Sequence, residues 1–373
     1  MTDTYDLVVF WLVVAARFLV PLLIPRYPLP AVLAAMLIDA ADQTIFQQFT
    51  NMNLEGYQGY DKALDIYYLT IAYVSTLRNW SSKFAFQVSR FLFYWRLAGV
   101  AAFELTQERM LLLIFPNTFE YFFIFYEAYR LRWDPIKMTK RTVVGAAAFI
   151  WIVIKLPQEW WIHIAQLDTT DFLKENVFGV PVDASWREIL AANLWLIPVA
   201  IVVMGLVVIL LRWLVRRLPP ADRSVQFTAE VHRPDFGQER ARRAFAEEAR
   251  HIVDAALFEK IALVALLSLI FAQVLPDVQA STVQLAIGLA VIVIVNTALS
   301  HWLARRGVGL IPTTQHFFAM VGVNALIFVA IALVLPGLGG AISFGSAAFF
   351  VLLLTLVVTL YDHFRQVYLM RFG

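Results

Sequence analysis

An all-α, polytopic transmembrane fold with about eleven spans is what three properties of this chain predict. Of its 373 residues 60% are hydrophobic and 16% are charged, where ordinary soluble domains carry roughly 25% charged residues. Many apolar runs reach the ~18 residues that read as a membrane-crossing helix. Basic residues cluster in alternate connections between those runs, as the positive-inside rule demands.

The runs fall at roughly 7–24, 29–41, 62–78, 84–104, 110–131, 142–157, 188–212, 255–276, 282–304, 314–335 and 343–366. The second is short, and whether it crosses fully is open. Met1–Asp6 is acidic, with no basic leader and no small-residue cleavage site after the first run. That run therefore reads as a retained helix rather than a signal peptide. Arg26, Arg78, Lys83, Arg132, Lys137, Lys140 and Arg141 occupy alternate connections, followed by an arginine-rich stretch after Trp213, then Arg305, Arg306, Arg365 and Arg371. The opposite connections hold few basic residues: 40–61 has none, and only Arg109, Lys174 and Arg187 stand against the pattern. This pattern places the chain in a plasma (inner) membrane with its N-terminus outside and its C-terminus in the cytoplasm.

Three regions follow. Residues 1–213 form a front bundle with charged spans, an outward acidic loop and an interfacial segment; 214–254 form a cytoplasmic basic linker and helix; 255–373 form a back bundle that reads as apolar scaffold. Ser224–Val231 alternates apolar and polar residues, the pattern of a short strand or extended linker. Gln238–Asp254 reads as a solvated helix with Glu239/Arg243 and Arg243/Glu247 pairs. Gln158–Leu173, led by Trp160 and Trp161, reads as an interfacial helix. Ser185 and Glu188 form a capping-box pattern.

Two constellations can carry chemistry. The first is a charge ladder. The link Thr106–Arg109 is short, so counting outward from it sets Arg96 level with Glu120 and Arg90 level with Glu127. Intramembrane charges are costly and mark pairs or pathways. Glu104 and Arg17 share the polar core, and Arg17, without an obvious local partner, is expected to use one of these glutamates. A surplus arginine suits an anionic guest such as a phosphate group, which the planar guanidinium fork matches. The bland alternative is a set of ion pairs that holds helices in register.

The second is an acidic cluster, Asp39, Asp42, Asp61 and Asp65. Asp61 and Asp65, four apart, share one helix face. Convergence of these carboxylates would give oxygen ligands for a divalent cation, Mg²⁺, Mn²⁺ or Ca²⁺, and a base or metal centre for catalysis. Acidic residues at a membrane edge that are simply solvated are the alternative. The order of these aspartates partly follows the paired-aspartate motif of CDP-alcohol phosphotransferases. The glycine expected after the second aspartate is Gln43, and the later pair is one residue out of phase. An outward acidic loop after an early span is similar to membrane glycosyltransferases that use polyprenyl-phosphate sugars, over about residues 30–75 only. Neither pattern assigns a family.

Other chemistries lack their signatures. There is no cysteine, hence no disulfide or thiolate metal site. The six histidines show no HExxH spacing. No GxxxxGK[ST] loop occurs, and the basic linker, explained by topology, gives no case for nucleic acid. The expected partners are the lipid bilayer and a lipid-linked or ionic substrate. Three functions are carried forward: a metal-assisted membrane enzyme acting on a lipid-linked phosphate or sugar at the outer face, with Arg90 and Arg96 receiving phosphate; an ion or solute transporter using Arg/Glu pairs; and a membrane scaffold or assembly subunit.

Overall fold

The computed structural model describes residues 4–50, 57–167, 169–182, 184–229, 255–274, 288, 290–298, 313–334 and 344–372. Its regular elements there are all helical: α1 (Thr4–Leu19, continued by a 3-10 turn, Val20–Leu23), α2 (Pro28–Phe49), α3 (Tyr57–Asn79), α4 (Lys83–Thr106), α5 (Met110–Ile114), α6 (Thr118–Arg130), α7 (Lys140–Ile164), α8 (Thr169–Asn176), α9 (Trp186–Ala192), α10 (Leu196–Arg217), α11 (Ala255–Val274), α12 (290–298), α13 (Thr313–Val334) and α14 (Phe344–Phe372). Six helices among the described residues are long and apolar enough to cross a membrane: Thr4–Leu23, Pro28–Phe49, Lys140–Ile164, Leu196–Arg217, Ala255–Ala272 and Ala348–Phe372. Helices α3 and α4, with 23 and 24 residues, match these in length at ~1.5 Å rise per residue; their interior charges keep them out of the apolar set.

Helix α3 is the hub. It packs against α1, α2, α4, α6, α11 and α14, and Tyr67, Leu69, Ala72, Tyr73 and Leu77 along it are buried. Helices α11 and α14 add Leu267, Phe271, Val357 and Tyr361 to the same core, so the two ends of the chain share one packed interior. Aromatic stacking fixes the centre, with Tyr73 on Phe93 at 4.4 Å and Trp80 on Tyr126 at 3.7 Å between ring centroids. By contrast, α10 has no buried residue in its apolar window. An apolar helix left unburied among the described residues is one that lipid can surround.

Several expectations are corrected. The second run is a 22-residue helix to Phe49, longer than 29–41, because Asp39 and Asp42 lie inside it and are paired. The run 110–131 is not continuous. It is interrupted at Phe115–Asn117 between α5 and α6, where Pro116 has no N–H to donate and clashes with the preceding turn. Gln107, in the left-handed region at φ 57°, caps α4 and starts this detour. The expected interfacial helix is instead the end of α7. Its backbone passes through π-helical turns at Ile150–Lys155 and Trp160–Ile164, with the Leu156 N–H reaching back to the Trp151 carbonyl. The wider turn absorbs Pro157, which would otherwise break the helix.

Residues 224–229 form no strand; Glu230–Asp254, including the helix expected at Gln238–Asp254, lies outside the described residues. The capping box is present, with Ser185 accepting from Glu188 N–H and Glu188 accepting from Ser185 N–H. The basic connections gather at one end. There Arg78 and Asn79 donate to the Pro25 carbonyl, Arg371 to the Arg78 and Trp80 carbonyls, Arg130 to the Thr228 carbonyl, and Ala229 N–H to the Arg26 carbonyl.

Candidate functional site

The aspartates converge, and they converge on Arg17. Helix periodicity explains the geometry: Asp39 and Asp42 are one turn apart on α2, Asp61 and Asp65 one turn apart on α3, so each pair shares a face. Both faces meet Arg17 near the end of α1. Its Nη1 donates to Asp42 Oδ2 and, at 2.7 Å, to Asp61 Oδ1; its Nη2 donates to Asp39 Oδ1 and, at 3.0 Å, to Asp65 Oδ1. The expectation that Arg17 pairs with a glutamate of the ladder is thereby overturned. A guanidinium presents its donors as a planar fork, and here each terminal nitrogen serves one carboxylate from each helix.

One guanidinium faces four carboxylates, an excess of three negative charges if all are ionised. Carboxylates that crowd one another cannot all stay charged without protons or a further cation. Asp42 is sealed, with 0% side-chain exposure, while Asp39, Asp61 and Asp65 retain 28%, 33% and 25%. Oxygens of those three lie within 4.8 Å of one another. A hard cation bonded at about 2.0–2.6 Å to each requires ligand oxygens no farther apart than about twice that length, so this trio can hold one.

The proposed ladder does not form. Arg96 does not pair with Glu120: its Nη1 donates to the Phe115 carbonyl at 3.2 Å and lies 4.0 Å from Glu159. Arg90 does not pair with Glu127. It is half exposed and lies 3.6 Å from Glu259 on α11. Glu127, fully buried, accepts from Arg130 Nε at 2.7 Å and Trp80 Nε1 at 2.9 Å. Glu120 accepts from Tyr68 and from Asn117 Nδ2 at 2.8 Å, with Lys155 Nζ at 3.9 Å. The break before α6 interrupts the continuous run on which that register was counted.

A second polar group therefore surrounds that break. Lys155, Glu159 and His163 are spaced by four along α7; Glu159 Oε1 accepts the Asn117 N–H at 3.1 Å, and its Oε2 lies 3.0 Å from His163 Nε2. Tyr68 joins the two groups, since it sits on α3 one turn beyond Asp65 and hydrogen-bonds Glu120. Lys62, beside Asp61, stacks its ammonium 3.9 Å from the Phe103 ring centre and lies within electrostatic reach of Glu104, Arg96 and Arg109. Glu159, His163, Asn117 and Lys62 were not singled out from the sequence as site residues. The spacing 155, 159, 163 was the available signal, hidden by reading Pro157 as a helix end.

The back bundle is also less apolar than its sequence suggested. Lys260 is buried and donates to Thr297 at 2.7 Å and Asp362 at 2.9 Å. Asn296 donates to Asn324, which donates to Thr355 at 2.7 Å. Glu259 accepts from Tyr73.

Comparison with protein-family models, curated proteins and solved structures gives no match to this chain.

Proposed function

We propose that this chain is a divalent-cation-dependent membrane enzyme acting on a lipid-linked phosphate or sugar-phosphate at the outer face of a plasma membrane. The observation that carries the reading is the convergence of Asp39, Asp42, Asp61 and Asp65 on Arg17, which leaves excess negative charge on three partly open carboxylates. Asp39, Asp61 and Asp65 would hold the cation, and Arg17 would fix their spacing. A bound divalent ion would polarise a phosphate oxygen and stabilise the charge that develops on the leaving group. A carboxylate oxygen of the trio that does not touch the ion would take the proton of the attacking hydroxyl.

The topology belongs to the same reading: about eleven spans, N-terminus outside, C-terminus cytoplasmic. It is supported by the collection of Arg26, Arg78, Arg130 and Arg371 at one end of the bundle, since basic connections favour the cytoplasmic side. Asp61 and Asp65 lie in the first part of α3, toward the opposite end of that helix from Arg78.

Titration of the purified chain with Mn²⁺, read by electron paramagnetic resonance, tests the cation. Saturable binding that Asp61→Asn or Asp65→Asn abolishes is expected, together with divalent-ion-dependent turnover of an isoprenyl-phosphate sugar in vesicles. Absence of saturable binding, or binding indifferent to both substitutions, overturns the reading.

One observation favours a transporter instead: contacts run from Tyr68 through Glu120 and Asn117 to Glu159 and His163, and Tyr68 lies one helical turn beyond Asp65. Proton uptake into vesicles carrying the protein, lost in Glu120→Gln, would establish it; tight vesicles with no flux would remove it.

A further inference from the structure

We infer that the break between α5 and α6 is a seat for an oxyanion group, a phosphate above all. This inference rests on the enzyme reading and names where its substrate's phosphate would bind.

Irregular backbone at membrane depth is tolerated only where it is buried in protein or lines a cavity. Residues Phe115–Asn117 form such a break, and the α6 N-terminus beyond it is enclosed, with Asn117 7% and Thr118 1% exposed. The first N–H groups of a helix have no helical partner and, with the helix dipole, favour negative charge; here Asn117 N–H meets Glu159 and Thr118 N–H the Pro116 carbonyl. Asn117, at the N-cap position, makes no side-chain capping bond.

A second observation points to a ligand independently. Among the described residues, three polar atoms around this break are buried without a hydrogen-bond partner: Arg96 Nε, Asn117 Oδ1 and Thr118 Oγ1. An arginine offers five N–H donors, and Arg96, 9% exposed, uses one of them on the Phe115 carbonyl. Unmatched buried donors are expensive; an entering oxyanion would accept from Arg96 Nε and the Thr118 hydroxyl, while the amide oxygen Asn117 Oδ1 is itself an acceptor.

The neighbouring charges fit. Arg96 and Lys155 stand 4.0 and 3.9 Å from Glu159 and Glu120, beyond direct hydrogen bonding. Both cations therefore keep unused capacity. Glu159 shows what the break accepts, because its carboxylate takes the Asn117 N–H at 3.1 Å beside Arg96. The seat is distinct from the acidic trio; Tyr68, one turn beyond Asp65 on α3, hydrogen-bonds Glu120 beside it. Arg96, Lys155 and Thr118 thus replace the Arg90 and Arg96 pair expected from sequence; Arg90 lies against α11 instead.

The test uses the full chain with EDTA present, so that the seat is read apart from any cation. Unfolding temperature is followed against inorganic phosphate in detergent, and against an isoprenyl phosphate in lipid nanodiscs. Saturable stabilisation is expected in at least one arm, with midpoint raised tenfold or more by Arg96→Gln and unchanged by Arg141→Gln on the exposed start of α7. A response in the lipid arm alone makes the ligand a head group; a response in both makes free phosphate sufficient. Thr118→Val, which keeps shape and removes the unmatched hydroxyl, supplies the same comparison if Arg96→Gln does not fold. No saturable shift in either arm, or equal weakening by Arg96→Gln and Arg141→Gln, overturns the inference. Mn²⁺ binding measured in parallel separates the outcomes, since loss of the phosphate response with Mn²⁺ binding intact refutes the seat alone.

Discussion

Asp42 and Arg17 form the sealed end of the acidic cluster: the Asp42 side chain is 0% exposed, the Arg17 side chain 3%, and the two are hydrogen-bonded. Removing the guanidinium leaves this sealed carboxylate without the cation that donates to it. Breaking a buried pair from one side costs about 3–5 kcal/mol. Arg17→Gln should therefore lower the unfolding temperature sharply. Arg17→Gln combined with Asp42→Asn should recover most of the loss, and added Mg²⁺ or Ca²⁺ should partly restore the single variant. Wild-type stability of Arg17→Gln without divalent ions would show that the pair contributes nothing.

Glu127 and Glu120 look alike in sequence and should behave differently. Glu127 holds Arg130 and Trp80 by direct hydrogen bonds, so Glu127→Ala leaves a buried arginine and should cost about 3–5 kcal/mol. Glu120 binds two neutral donors, with Lys155 farther away; Glu120→Ala should cost less, near the ~1–3 kcal/mol of unsatisfied neutral partners. Folded yield and thermal unfolding in detergent rank the two. The reverse order would refute this account of the polar core.

These two glutamates also show what could be read from the chain. Apolar runs located the helices because burial in lipid leaves a length signature, and the acidic pairs were legible because i,i+3 and i,i+4 spacing fixes a face. Which charge meets which was not legible. Pairing depends on helix rotation, and the breaks at Pro116 and the π turns before Pro157 changed that rotation for Glu120, Lys155 and Glu159. Arg17 escaped for a simpler reason: its partners lie on two later helices, 22 to 48 residues away, and a long side chain hides the offset in depth.

Gly99 permits the break. A Cβ built there would overlap Cβ and Cγ of Phe115, so α4 can approach the α5–α6 turn closely only with glycine. Gly99→Ala should destabilise by about 1–3 kcal/mol, as overpacking does. Phe115→Ala should not rescue it, because alanine keeps the offending Cβ, whereas Phe115→Gly should. Rescue by Phe115→Ala would place the clash farther out on the ring.

The segment after α10 is latched to the α6–α7 connection. Lys137 Nζ donates to Asp222 Oδ2 at 2.8 Å, and Asp222 Oδ1 accepts the Asp134 N–H at 2.9 Å. The Lys137 hydrogen bond holds the Asp222 carboxyl below its ordinary range, and the same bond raises Lys137. A depressed carboxylate supports the folded contact above its unfolded pKa, and that support is lost as pH falls through the folded value. The latch should thus be constant across neutral pH and release only below about pH 4, the ordinary aspartate pKa. Since the chain has no cysteine, a spin label at Ser224→Cys reports on this segment alone. Its spectrum should stay restricted at neutral pH, loosen in acid, and be loose at all pH values in Asp222→Ala. A spectrum indifferent to both would mean the latch does not hold the segment.

Lys260 and Asp362 test whether the back bundle's polar groups carry stability or only specify packing. Lys260 is 4% exposed and donates to both Asp362 and Thr297. Asp362→Ala leaves its ammonium buried with one neutral partner, while the carboxylate's 23% exposure means water partly enters; the loss should sit at the lower end of the range, about 3 kcal/mol. Replacing both, Lys260→Met with Asp362→Leu, removes the desolvation of two charges along with their attraction. The double variant should match or exceed wild-type stability in thermal unfolding. A double variant as weak as Asp362→Ala would mean that the pair itself, and not the avoidance of an unpaired charge, holds α11 against α14.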